Sequence, residues 1–163
     1  MGNRAVDYLV EKGMGERIIE LDESIATVAL AAQALGCEER EIAKTLAFLA
    51  PDPVLIVASG EARVDNGKFR GMFGVKAKMI PHERVEELVG FPGGGVCPFS
   101  PKEGVPVYLD ISLKKLSRCF PSCGSRTNAV RLSLEELEEL VRHEGWIDVT
   151  KDPVQEVTTD DCA

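Results

Sequence analysis

Apolar positions along the chain recur with two periods, and the changes between them divide it into elements. Val6, Leu9 and Val10, followed by Gly13, predict a short helix stopped by a glycine, and Arg17 to Leu21 (RIIEL) predicts a strand. Ile25, Val28, Ala29, Ala32 and Leu35 then fall at helical spacing, with Asp22 or Ser24 as cap and Gly36 as stop. Two short apolar runs, Ala43 to Phe48 and Val54 to Ala58, predict strands joined by Pro51-Asp52-Pro53 as a hairpin link. A further strand is expected over Val75 to Ile80, and then a helix with Pro81 at its first position, running through Val85, Leu88 and Val89 to Gly90.

Beyond the glycine-rich segment that follows, Val105 to Asp110 predicts a strand and Ser112 to Leu116 a helical turn. Arg118 to Ser122 and Ala129 to Leu132 predict a strand pair around Gly124-Ser125-Arg126-Thr127-Asn128. Ser133 and Glu136 form a capping box for a helix carrying Leu134, Leu137 and Leu140. Several strands lie too close in sequence for a crossover helix, which takes a dozen or more residues. The expected fold is therefore α+β, with helices packed around a curved, mixed sheet rich in antiparallel pairs. One domain is expected over residues 1–150, with an acidic tail over 151–163.

Charge changes this picture in one respect. The chain carries a net −8, which by itself disfavours a nucleic-acid partner. Yet residues 60–131 carry +5, between flanks of −5 (1–59) and −8 (132–163). The basic middle keeps an RNA partner open, with Arg63, Lys68, Arg70, Lys76, Lys78 and Arg126 as candidate contacts, although a solvated surface explains the same counts. Five scattered cysteines suit reduced thiols and a cytoplasmic location, and no run of about 18 apolar residues suggests a membrane. No cofactor is expected. Cys119 and Cys123 are not spaced as a zinc knuckle, and His82 and His143 fall in expected helices without partner ligands, so no metal site is expected.

Two features could carry chemistry. Lys44 lies in an apolar strand beside Ile42, Leu46 and Phe48, where an ammonium needs a cavity or a partner; an edge strand with a wet face, or a snorkelling side chain, is the bland alternative. The loop Gly93-Gly94-Gly95-Val96-Cys97-Pro98-Phe99 allows close backbone approach and could form a small carbonyl or oxyanion site; a tight structural turn is its bland alternative. It lacks the Gly-Lys-Ser/Thr ending of a phosphate loop. Cys97 has no histidine near it in sequence and is expected to line the pocket rather than to attack.

Taken together, Ala43-Lys44-Thr45-Leu46, Arg63-Val64-Asp65, the loop Gly93 to Phe99, Pro106-Val107-Tyr108-Leu109-Asp110, and Gly124-Ser125-Arg126 followed by Val130-Arg131-Leu132-Ser133 resemble the YbaK family of prolyl-tRNA-synthetase-associated editing domains. Order and spacing agree from about Ile18 to Val141. The resemblance implies a partly barrel-like mixed sheet and a trans-acting hydrolysis that removes a small wrong amino acid, such as Cys, Ala, Ser or Thr, from tRNA. It implies Lys44 and Gly94 as catalytic, with Gly93, Gly95, Val96, Cys97, Pro98, Phe99, Gly124, Ser125 and Arg126 binding substrate. Mischarged tRNA and an aminoacyl-tRNA synthetase are the implied partners. A binding module that keeps the pocket without the reaction is the competing function. Some family members carry an acidic residue in the strand after the Gly-Ser-Arg loop, where this chain has Ala129, Val130 and Arg131.

Overall fold

The computed structural model describes residues 3–151. Helix α1 (Arg4–Glu11) begins at Asn3, whose side chain accepts from the Ala5 and Val6 amides. Strand β1 (Ile18–Glu20) leads to α2 (Val28–Leu35), β2 (Ile42–Leu49) and β3 (Pro53–Ser59). Then come β4 (Arg63–Val64), α3 (Asn66–Phe73), α4 (His82–Val89) and β5 (Val107–Asp110). The chain continues through β6 (Arg118–Pro121), β7 (Asn128–Val130), β8 (Leu132–Ser133), α5 (Leu134–Leu140), β9 (Trp146–Ile147) and β10 (Thr150–Lys151).

The expected mixed architecture is present. Six strands form one sheet in the order β8-β6-β2-β3-β5-β9, and the pairs β1-β7 and β4-β10 stand beside it. The hairpin β2-β3 is antiparallel from Ala43↔Ser59 to Leu49↔Pro53, while β2-β6, β3-β5 and β5-β9 are parallel. Because side chains alternate across a strand, the hairpin presents two apolar faces. Ala43, Ala47, Leu55 and Val57 pack in the main core with Val89, Phe91 and Phe99. Phe48, Val54 and Ile56 pack with Phe69, Ile147 and Val149 on the other side.

Several expectations are corrected. Helix α2 starts at Val28 with Thr27 as cap, its Oγ1 accepting from the Leu30 amide at 3.2 Å; Ser24 instead closes a turn onto the Ala26 amide. Ile25 is outside the helix but buried in a satellite cluster with Ile42 and Phe120, which accounts for its place in the apolar pattern. Pro81 is the cap of α4 and His82 its first residue. The segment 75–80 is no strand: it touches β2 through one bridge, Phe48↔Met79, with the Leu49 amide donating to Lys78 O and the Ile80 amide to Ala47 O. The second expected pair is present in one antiparallel register, through Arg118↔Ser133, Cys119↔Leu132 and the bridge Ser122↔Ala129, and β7 pairs with β1 as well. Lys151, the first residue of the expected tail, pairs with Arg63 in β10-β4; residues 152–163 lie outside the described residues.

A buried carboxylate fastens the end of this fold. Asp110 is fully buried and accepts from the Ser112 amide (2.9 Å), the Val149 amide (2.9 Å) and the Thr150 hydroxyl (2.7 Å). An unpaired buried donor costs about 1–3 kcal/mol. Asp110→Ala strands two amides, so denaturant unfolding is expected to show a loss of about 3 kcal/mol or more. A loss below about 1 kcal/mol would count against this role.

Candidate functional site

Beside the apolar edge of the hairpin lies a cavity of about 400 Å³. Strand β2 supplies its floor through Ile42 to Ala47, α2 one wall through Val28, Ala31 and Leu35, and Ile80, Val85, Val96 and Ser122 further surfaces. Strand β6 pairs β2 only at Ile42 and Ala43, and the next backbone contact on that side is the Ile80 amide to Ala47 O. No strand therefore runs alongside Lys44, Thr45 and Leu46 on that side, and the cavity occupies the gap. Its exposed lining residues, which define the mouth, are Ala26, Thr27, Met79, His82 and Gly94.

Lys44 lines this cavity from a strand that is interior to the sheet as a whole but locally open at this residue, where β6 has already ended, so its surroundings rather than its strand order decide its role. Its ammonium does not reach bulk water freely. Nζ donates to Ala62 O at 2.5 Å and to Gly60 O at 3.3 Å, in the turn between β3 and β4. Burial lowers its pKa from the usual lysine value, and the positive charge of Arg63 acts in the same direction. Gly60 has to be glycine: a Cβ there would collide with Glu39 O and come within 2.8 Å of Val28 Cγ1.

The structure divides the glycine loop. Gly93, Gly94 and Val96 line the cavity, whereas Gly95, Cys97, Pro98 and Phe99 do not. Gly94 is left-handed at φ 85° and exposed at the mouth. Phe99 and Cys97 are fully buried core residues. Cys97 is therefore corrected from pocket lining to packing, and burial drives its thiol pKa well above the ordinary value, so a thiolate nucleophile is disfavoured. Nor do Gly124, Ser125 and Arg126 line the cavity; they brace the loop from behind. Arg126 Nε donates to Gly93 O at 2.7 Å, and a Cβ on Gly95 would approach the Ser125 backbone to 2.8 Å. Of the other basic candidates, Lys68 donates to Asp148 and to Thr150 O, while Arg70, Lys76 and Lys78 are exposed.

Residues without a distinctive sequence signal complete the site. The Thr45 hydroxyl is buried at the cavity floor without a hydrogen-bond partner, which marks it as a place where a ligand could pair with the protein. Ser122 Oγ donates to Val96 O at 2.9 Å and holds the loop end. Among the described residues no group of three or more His, Cys, Asp or Glu could hold a metal, and no helix is long and apolar enough to cross a membrane.

The chain is similar to known proteins in sequence and in fold. The family model described as aminoacyl-tRNA editing domain matches residues 22–140. The uncharacterized protein YwhH of Bacillus subtilis (strain 168) is 44% identical over 137 residues, covering 83% of this chain and 87% of that protein. A crystal structure of a candidate trans-editing enzyme for prolyl tRNA synthetase superposes with a TM-score of 0.78 at 29% identity, over 93% of this chain and 99% of that one. A protein studied as a computational scaffold for grafted linear epitopes gives 0.79 at 29% identity, over 91% and 95% of the two chains.

Proposed function

Because the chain belongs to the aminoacyl-tRNA editing domain family, we propose that it is a trans-acting cytoplasmic deacylase that hydrolyses the ester of a mischarged tRNA, working beside a synthetase. The observation that carries this reading is the meeting of Lys44, Gly93 and Gly94 around one cavity of about 400 Å³. Ala26, Ala31, Ala43 and Ala47 keep its lining shallow, and the space suits a small acyl group such as that of Cys, Ala, Ser or Thr.

An aminoacyl ester is already activated, so the protein has to orient the attack and stabilise one developing oxyanion. In this reading Gly94 turns bare backbone toward the acyl carbonyl at the mouth, with Arg126 fixing the loop through Gly93 O. Lys44, held by two carbonyls, keeps its remaining N–H for the ester end of the substrate. A water, or the substrate's own side chain, attacks the carbonyl carbon. The bond from that carbon to the ribose oxygen breaks, and the ribose hydroxyl leaves carrying the proton.

The test is direct. Purified protein is incubated with tRNAs charged with Cys, Ala, Ser and Thr, and at least one amino acid should be released well above its spontaneous rate. Affinity for the tRNA should fall steeply with rising salt if the basic middle segment captures it. Release from none of the four would sink the hydrolytic reading and leave a binding module.

A further inference from the structure

We propose that Met79 and His82 form a ledge on which the terminal base of the tRNA acceptor end stacks; this rests on the cavity receiving the aminoacyl group, as argued above. With the acyl group inside and the ester at Gly94, the terminal nucleoside has to lie across the mouth. The mouth is uneven. Ala26, Thr27 and Gly94 offer no broad side chain, and Thr27 is already engaged as the cap of α2. The broad exposed side chains at the mouth are those of Met79, 56% exposed, and His82.

Each residue is held in place by its surroundings. Met79 is fixed by the bridge to Phe48 and by the Ile80 amide bond to Ala47 O. His82 opens α4, and its ring lies so close against Gly93 that a methyl group on that glycine would collide with it. That contact supplies a reason for glycine at 93, independent of any approach by substrate. An exposed methionine and a braced histidine at one cavity mouth make a surface of the kind that stacks a nucleobase, since thioether sulfur favours contact with aromatic rings.

Charge fits the same occupant. The segment entering Met79 alternates, with Val75 and Ala77 packed inward and Lys76 and Lys78 exposed. A nucleotide strand leaving the ledge along this segment would meet two ammonium groups at its phosphates, the pairing of basic track and stacking surface that single-stranded nucleic acid takes.

The experiment measures binding of the whole chain to two non-hydrolysable probes. Both are acceptor-stem oligonucleotides carrying the same 3′-amide-linked amino acid, the one released best from the four tRNAs, or alanine where none is released. One ends in CCA, the other in CC followed by an abasic ribose. The wild type should prefer the CCA probe by about tenfold or more. His82→Ala and Met79→Ala should each lose most of that preference while binding the abasic probe as before, and His82→Phe should restore it. Equal wild-type affinity for the two probes, or equal losses on both in the variants, overturns the ledge. A chain that releases no amino acid yet keeps the base preference loses the hydrolytic reading alone, whereas turnover with base-indifferent binding loses the ledge alone.

Discussion

Lys44→Ala is expected to lower deacylation about 100- to 1000-fold, the range seen when one well-placed donor is removed from an oxyanion site. The expectation rests on Lys44 lining the cavity while its ammonium is restrained by Gly60 O and Ala62 O, so that its direction is set before substrate arrives. Lys44→Met keeps most of the apolar stem and should fall as far, separating charge from packing. The pH profile carries a second signature. Because burial lowers the pKa of Lys44, its proton is lost at a lower pH than the ordinary lysine value of about 10.4. Activity that needs the charged form is full below the lowered pKa and declines as pH rises through it. After subtraction of spontaneous hydrolysis, the alkaline limb should therefore start earlier than for an unperturbed lysine. Near wild-type turnover in folded Lys44→Ala protein would remove the chemistry from this residue.

Gly60→Ala should damage both stability and activity. The added methyl would strike Glu39 O, a backbone atom, and press on Val28 at the start of α2. Overpacking of this kind typically costs about 1–3 kcal/mol, a drop of several degrees in Tm for a chain of this length. The larger consequence is local. Relief of the clash moves the Gly60 carbonyl, one of the two that hold the Lys44 ammonium, and α2, a wall of the cavity. Turnover should therefore fall further than the fraction of unfolded protein explains, measured by kcat at a temperature where circular dichroism shows full folding. A loss of turnover that simply tracks the loss of folded protein would deny Gly60 any part in the site.

How much of this could be read from the chain alone varies with how local each feature is. The strand bearing Lys44 and the loop at Gly93 show directly as an apolar run and a glycine cluster. The capping box at Ser133 and Glu136 is likewise present, because both partners lie within one turn. The carbonyls of Gly60 and Ala62 leave no such trace, since any turn has carbonyls and only the folded hairpin brings these two to the lysine. Helix α3 was hidden for another reason. Its sequence NGKFRGMF holds two glycines, each costing about 1 kcal/mol against alanine, and only Phe69 is buried. What marks its ends is Asp65, accepting from the Lys68 amide, and left-handed Gly74. Val75 to Ile80 has the alternation of a strand, but it borders β2 only near Phe48, beyond the gap that becomes the cavity. Cys97 sat inside a motif that looked wholly ligand-facing; the loop in fact turns over at Gly95, against the Ser125 backbone, and sends its second half into the core.

The pairing of β4 with β10 also bears on when the site exists. The turn that grips Lys44 runs into Arg63 and Val64, and their partners are Lys151 and Thr150, with Asp65 bonded to Val149 O. During synthesis from the N-terminus, Lys44 and its turn emerge early, but the strand that anchors the turn emerges more than 80 residues later. Until then the lysine has no fixed mount. Chains fold as they leave the ribosome and contacts distant in sequence close last, so a nascent chain short of residue 151 would carry the chemical groups without their alignment. Competence would arrive with β10, in one step.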